Sequence, residues 1–307
     1  MRIIRQTNID FMSQTRTAGF LSVLILLIGI VSLIINGGPK LSIDFKGGTL
    51  VIVNFTKPVD INEIRSSMSN VVIDGRTFDF SKVEIKQFGE PNNIAIRLAS
   101  YEDEPEQFPN KIADHIAKIY PNLIPIDKND FIYSIDKVGP KVGAELRGDA
   151  IMAIVSALLL ILVYITIRFE LKYALGAIAA LSHDVLVTLG IFSLFGYEIS
   201  LAVIAAFLTI VGYSLNDTIV IFDRVRENAT MLKKSKLVSV INQSINDSLS
   251  RTIVTSITTF FVVLILFLFG GEVLHTFSFA MIIGVLVGTY SSIFVASPVV
   301  IYMDNKN

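Results

Sequence analysis

Long apolar runs dominate the chain, and only one stretch, residues 36–147, departs from them. The runs at 18–35, 150–167, 252–269 and 276–302 contain no Asp, Glu, Lys or Arg. Two more, 173–195 and 199–222, each hold one carboxylate, Asp184 and Asp217. A bilayer core of ~30 Å takes roughly 20 residues of apolar helix, so six membrane-spanning helices are predicted at those ranges. The last run is long enough to tilt.

Between the first two runs the pattern shortens and alternates. Thr49–Phe55 reads as a strand, and 59–68 as a short amphipathic helix with Asp60 as its N-cap. Residues 82–88 and 93–99 alternate around a turn at 89–92, which predicts a hairpin. A helix over 105–119 and a strand over 131–138 complete a β-α-β-β-α-β order, that of a ferredoxin-like unit. The fold class is therefore a polytopic α-helical membrane protein, with six transmembrane helices and one small ferredoxin-like α+β domain between the first and second.

Composition agrees with this reading. The chain has 307 residues, is 52% hydrophobic and 17% charged, and has a mean hydropathy of +0.63, too apolar for a soluble domain of this length. Lys and Arg number 26 against 27 Asp and Glu, so no basic excess points to nucleic acid. With no Cys there is no disulfide, thiolate metal site or Cys nucleophile. His115 has no second ligand at metal spacing, and the cluster Glu102-Asp103-Glu104 reads as a solvated loop and helix start. No metal, cofactor or enzymatic constellation is expected, and residues 36–147 read as a docking module with flanking hinges.

Two glycine-bearing segments frame that module: Asp44-Phe45-Lys46-Gly47-Gly48-Thr49 and Val138-Gly139-Pro140-Lys141-Val142-Gly143. Paired glycines permit tight turns and close backbone approach, and the spacing reads as a hinge between domain and membrane. A phosphate-cradling loop would need a Lys-Ser/Thr pair that is absent.

Orientation follows the Lys and Arg of the short loops. Arg2, Arg5 and Arg16 lie in the tail at 1–17, and Arg168 and Lys172 join spans two and three. The 223–251 segment carries Arg224, Arg226, Lys233, Lys234, Lys236 and Arg251, whereas 196–200 and 270–275 have neither Lys nor Arg. Both ends of the chain are thus expected in the cytoplasm and the α+β domain across the membrane. The first span is expected to be an uncleaved anchor, because Asn36-Gly37-Gly38-Pro39 does not resemble a cleavage site. In 223–251, Val238, Ile241, Ile245 and Leu249 follow helical spacing, which predicts an amphipathic helix on the cytoplasmic membrane face.

Ionisable groups at membrane depth cost on the order of 3 kcal/mol on insertion scales and mark function by default. Gly176, Ala180, Asp184 and Thr188 form one small, polar ridge that should face other helices, with His183 about 100° round. Asp217 is expected to share a face with Thr209, Gly212, Tyr213 and Asn216, and Arg251 opens a stripe continued by Thr255, Thr258 and Thr259. Burial disfavours a charged carboxylate and a nearby guanidinium favours it, the balance a group needs to take up and release a proton. The plain alternative is a carboxylate that only ties helices together, with Arg251 reaching back to the headgroups. Ala280, Gly284, Gly288, Ser292 and Ala296 recur every fourth residue and read as a close-packing seam.

Gly212–Glu227, read as Gly-Tyr-Ser-Leu-Asn-Asp-Thr-Ile-Val-Ile-Phe-Asp-Arg-Val-Arg-Glu, closely resembles the fourth-span signature of the SecD/SecF family of the bacterial Sec protein translocase. Asp44–Thr49, Val138–Gly143 and Ser250-Arg251-Thr252 resemble family segments at matching places, and the likeness covers essentially the whole chain. The resemblance implies a twelve-span, pseudo-symmetric unit of the resistance–nodulation–division type, made with SecD in the cytoplasmic (inner) membrane. It implies action beside the SecYEG channel, with YajC as a further partner, drawing unfolded polypeptide outwards after SecA has driven it in. Asp217 and Arg251 match the family's proton-pathway positions, with Asp184 near that pathway. The cycle it implies is proton-driven: protonation of Asp217 weakens its attraction to Arg251, the half-bundles shift, and the glycine hinges pass the motion outwards. Half of a small-molecule efflux pump of the same superfamily, or a purely structural scaffold, stay open beside it. The second half that such folds require is expected on a partner, since the sequence ends at Asn307.

Overall fold

The computed structural model describes residues 7–81, 83–100, 104–127, 130–232 and 235–304, in two compact units, 41–149 and the helices on either side of it in sequence. Arg2, Arg5, Lys82, Glu102, Asp103, Lys233 and Lys234, on which expectations rested, lie outside the described residues.

In the 41–149 unit a four-stranded antiparallel sheet has the order β4-β5-β1-β6, formed by β1 (Gly48–Asn54), β4 (Glu84–Phe88), β5 (Glu90–Leu98) and β6 (Ile132–Val138). β1 pairs with β5 from Thr49↔Leu98 to Asn54↔Asn93, and with β6 from Gly48↔Val138. With α3 (Ile61–Ser67) after β1 and α4 (Phe108–Ile119) after β5, this is the ferredoxin-like arrangement. Alternation along β1 sends Val51 and Val53 into a core with Ile64, Met68, Ile94, Ile96, Ile112 and Ile116. Asp60 caps α3, its Oδ1 accepting from the Asn62 amide at 2.8 Å.

The unit departs from the sequence reading in three places. A second, two-stranded sheet pairs β2 (Val71–Ile73) with β3 (Arg76–Phe78). Asp74 and Gly75 turn between them at φ 49° and 77°, the paired positive values of a type I′ hairpin, for which Asp-Gly is a standard signal. The β4–β5 turn is tighter than 89–92: Gly89 alone, at φ 67°, separates the strands. α4 starts at Phe108, not 105, because Gln107 sits at φ 55° and breaks the helical path.

The glycine segments are closely packed. Ser42 caps the short helix α2 (Ile43–Lys46), which contains Asp44, and Gly47 follows at φ 72°. A Cβ at Gly47 would lie 2.9 Å from the Pro140 Cα, and one at Gly143 would lie 3.0 Å from the Gly47 amide nitrogen. Pro140 opens α5 (Pro140–Arg168), a helix ten residues longer at its start than the predicted span. Proline suits that position because a first-turn amide has no helical partner. Gly139 and Pro140 thus lead straight into regular helix.

The other unit is a helix bundle: α1 (Thr15–Ile35), the remainder of α5, α6 (Leu171–Phe195), α7 (Leu201–Met231), α8 (Leu237–Phe269), α9 (Gly271–Ser291) and α10 (Ser297–Asp304). Among the described residues, six helices are long and apolar enough to cross a membrane, α9 and α10 counting as one. The most apolar windows of α6, α7 and α9–α10 are 50%, 44% and 56% buried against 11% for α5, so those three form the centre. Phe20, Leu160 and Phe261, on outer helices, are exposed, as a lipid-facing surface requires.

Two features correct the predicted helices. The basic 223–251 segment is not a separate surface helix: α7 continues to Met231, and α8 begins at Leu237 and runs unbroken into the fifth span. Of the predicted stripe, Ile241, Ile245 and Leu249 are buried with Phe222 and Val225 in one cluster, which Val240 joins, whereas Val238 is exposed, so most of that stripe is spent on the bundle, not on lipid. The last span is interrupted: Ser292–Ala296 form one π turn between α9 and α10, with Ser297 Oγ donating to the Ser292 carbonyl at 3.1 Å.

Small residues set the helix crossings. Gly29 of α1 meets Gly190 of α6, where a Cβ on Gly29 would fall 2.8 Å from the Gly190 Cα. Gly284 faces Ile210 of α7, Gly288 faces Ser214, and Ser292 is buried with its hydroxyl on the Thr289 carbonyl.

Candidate functional site

Two buried carboxylates stand at the centre of the bundle, each halfway along its helix. Asp184 lies 13 residues into α6 and is 1% exposed, and three side chains hold it. Ser214 Oγ of α7 donates to Oδ2 at 2.6 Å, Ser291 Oγ of α9 donates to the same oxygen at 2.8 Å, and His183 Nδ1 lies 3.0 Å from Oδ1. One carboxylate thus ties three helices, the use of polar groups that replaces the hydrophobic effect inside lipid. Gly176, Ala180 and Thr188 of its ridge are also buried.

His183 is 7% exposed, and its ring centroid lies 6.1 Å from that of Tyr290 of α9 at 31°. The Tyr290 hydroxyl donates to the Ala18 carbonyl of α1 at 2.6 Å and lies 2.9 Å from Ser22 Oγ. The polar chain therefore reaches a fourth helix.

Asp217 of α7 is 2% exposed but loosely held: its one side-chain hydrogen bond among the described residues is a 3.5 Å contact from Ser256 Oγ of α8. Ser256 Oγ is itself 2.7 Å from Thr289 Oγ1 of α9. Arg251 is exposed and makes no ion pair among the described residues, so the guanidinium is not closed on Asp217. The expected companions of Asp217 divide. Thr209, Gly212 and Asn216 are exposed, whereas Asp217 sits at the margin of the buried face made by Ile210, Ser214, Thr218 and Ile221.

The bundle end carrying Arg168 and Lys172 is laced with ion pairs. Arg168 pairs with Asp223 at 3.2 Å, and Lys172 with Asp304 and Glu170, both at 2.9 Å. Lys40 and Glu198 are 3.4 Å apart, and the Ile199 amide donates to the Lys40 carbonyl at 2.7 Å.

Sequence reasoning singled out Asp184, Asp217 and Arg251 but missed Ser214, Ser256, Thr289, Ser291 and Tyr290. Serine and threonine in apolar helices usually bond their own i−4 carbonyl, as Thr218 and Thr289 do, so sequence does not show which of them reach across. In the α+β unit, His115 Nε2 is 3.3 Å from the Ser67 carbonyl, and Glu104 pairs with Lys137.

The relatives of the chain are consistent with a membrane bundle of this design. A family model described as the C-terminal part of the protein export membrane proteins SecD/SecF matches residues 120–306, and one for the SecD/SecF GG motif matches 32–59, which include Gly47 and Gly48. The protein translocase subunit SecF of Calditerrivibrio nitroreducens is 44% identical, over 97% of this chain and 95% of its own. That of Rhodothermus marinus is 45% identical over 98% and 95%. The crystal structure of SecDF, a translocon-associated membrane protein from Thermus thermophilus, is 34% identical with a TM-score of 0.83. The match covers 97% of this chain but 39% of that longer one. Identity of this extent over nearly the full length, on the same six-span plan, places the chain in the SecF branch of the SecD/SecF family of protein-export membrane proteins.

Proposed function

We propose that this multi-pass membrane protein, a protein translocase subunit, is the SecF half of a SecD–SecF unit that uses the proton gradient to complete polypeptide export. The unit sits in the cytoplasmic membrane beside SecYEG and takes over from SecA, with YajC as an accessory. The basic links around Arg168 and after α7 lie on the cytoplasmic side, and the α+β unit lies across the membrane. Protons are the coupling species, and no other cofactor enters the cycle.

The observation that carries this reading is the contrast at Asp217. A carboxylate buried in an apolar bundle with a single 3.5 Å hydrogen bond is poorly satisfied as an anion, and a proton resolves that. A structural carboxylate would be held as Asp184 is. The exposed Thr209 and Asn216 of α7 and Arg251 and Thr258 of α8 support a second half. Such groups are costly against lipid, and a partner bundle would cover them. A proton crossing the potential supplies about 2.3 kcal/mol per 100 mV, enough to bias a two-state bundle.

The test is export into proteoliposomes holding this chain and its SecD partner, with and without a proton gradient. Asp217→Asn keeps size and hydrogen bonding but cannot titrate, and it is expected to abolish the acceleration by the gradient. Equal acceleration in both proteins, at equal assembly, would sink the reading and make Asp217 a tether.

A further inference from the structure

The pair His183–Asp184 stands apart from the Asp217 machinery and has a feature that a tether does not need. Asp184 has a complete set of partners: two serine hydroxyls on Oδ2 and an imidazole nitrogen on Oδ1. His183 does not. Its Nδ1 is engaged with Asp184, whereas its Nε2 is buried without a hydrogen-bond partner among the described residues. The bond at one ring nitrogen sets the state of the other: if Nδ1 holds a proton to donate to the carboxylate, Nε2 is a bare lone pair in the neutral ring.

We propose that His183 Nε2 is a second proton-binding site of the bundle, with the Asp184 carboxylate as its fixed counter-charge. The uptake step balances simply. One proton adds to the Nε2 lone pair, the Nδ1–H bond to Oδ1 stays intact, and the pair passes from a net charge of −1 to zero. Neither serine has to move, because both already donate to Oδ2. The His183 ring packs near that of Tyr290, the two centroids being 6.1 Å apart. The Tyr290 hydroxyl donates to the Ala18 carbonyl of α1, so His183 neighbours a residue tied to a helix that supplies Asp184 with no hydrogen bond.

Titratable groups on the elements packed against α6 include Arg16 of α1, Tyr213 and Asp217 with the charged last turns of α7, His275 and Tyr290 of α9, and Tyr302 and Asp304 of α10. Of these groups and Asp184, the ones in a hydrogen bond or ring pair with His183 among the described residues are Asp184 and Tyr290. Ser214, which binds Asp184, is three residues from Asp217 on α7, so both proton sites bear on one turn of one helix.

As a second stage in transport this rests on the proton-coupled reading above; as a site it does not. The sequence holds three histidines, so a ¹⁵N-histidine spectrum of the full chain in lipid nanodiscs contains three imidazoles, and loss of one set in His183→Gln assigns it. On acidification the His183 ring is expected to gain a second proton on Nε2, and its neutral form to carry its one proton on Nδ1. Asp184→Asn is expected to remove that tautomer preference. A His183 signal that never changes, or a neutral form protonated on Nε2, overturns the proposal. The Asp217→Asn export assay separates the two ideas. A titrating His183 with an intact gradient response in Asp217→Asn defeats the transport reading and leaves the site. A silent His183 with the response lost defeats the site alone.

Discussion

Gly284→Ala offers a sharp test of the bundle, because its cost can be worked from three distances. The added Cβ would stand 2.2 Å from Ile210 Cγ1, 2.4 Å from Cδ1 and 2.8 Å from Cγ2. Both branches of the side chain are within reach, so rotating χ1 exchanges one clash for another. Ile210 is 1% exposed, so its side chain cannot swing out to a free surface. Carbon contacts need about 3.5–4.0 Å, so α9 and α7 must part by on the order of 1.5 Å. Overpacking of that kind costs about 1–3 kcal/mol. Gly212→Ala, on α7 itself, is the matched control: nothing lies within 4 Å of its Cβ, and the exchange should gain up to about 1 kcal/mol of helix propensity. The absence of cysteine gives a clean assay. Ser278→Cys is nearly isosteric at a fully buried hydroxyl with no hydrogen-bond partner among the described residues, so thiol labelling in micelles against temperature reports unfolding at that helix. Gly284→Ala should unfold at lower temperature than the parent and Gly212→Ala at the same or higher. Ile210→Ala removes every clashing atom, so it should cancel the extra penalty in the double variant. A Gly284→Ala protein as stable as its parent, or a penalty that survives Ile210→Ala, would refute the close α7–α9 approach.

Two further outcomes follow from the geometry. Gly48→Ala places a Cβ 2.6 Å from the Leu98 carbonyl at φ 131°, and that oxygen belongs to a paired strand and cannot withdraw. Hydrogen exchange of the β1 and β5 amides should quicken, by a loss of about 2 kcal/mol or more, and unchanged protection would count against the sheet register. Tyr290→Phe removes the hydroxyl shared by Ala18 and Ser22, worth about 1 kcal/mol in lipid. Amides of α1 should exchange faster while those of α8 do not, and an unaltered α1 would show that the Gly29–Gly190 crossing holds it alone.

Much of the architecture was legible because lipid and sheet impose simple patterns. Uncharged runs revealed the spans, and period-two alternation revealed the strands of the larger sheet. The Asp74-Gly75 hairpin was missed although its signal is local, because Val71–Ile73 and Arg76–Phe78 are too short to show alternation. The extension of α8 back to Leu237 was missed for a different reason. Ile241, Ile245 and Leu249 make the same stripe whether they meet lipid headgroups or Phe222, and only tertiary packing decides. For the carboxylates, charge in an apolar run marked Asp184 and Asp217, but the side chains that hold them were not legible. Of the neighbours expected for Asp217, Thr209, Gly212 and Asn216 prove exposed and Tyr213 half-buried, while the well-satisfied Asp184 draws its donors from Ser214 and Ser291, residues 30 and 107 positions away.

The π turn at Ser292–Ala296 explains how a seam spaced every fourth residue stays on one side of its helix. Four residues of regular α-helix overshoot a full turn by about 40°, so the five steps from Ala280 to Val300 would wander about 200° and carry Val300 round to the lipid. Yet Ala280, Gly284, Gly288, Ser292, Ala296 and Val300 are all buried. A turn closed at i+5 holds more than four residues, so there the same step falls short of a revolution and winds the seam back. The irregularity acts as a phase corrector. Above it the helix offers its small residues to Ile210 and Ser214 of α7, and below it Ala296 and Val300 meet Gly176 of α6. A one-residue deletion there would relax the turn to plain α-helix, and every side chain beyond it would be dealt to a different neighbour.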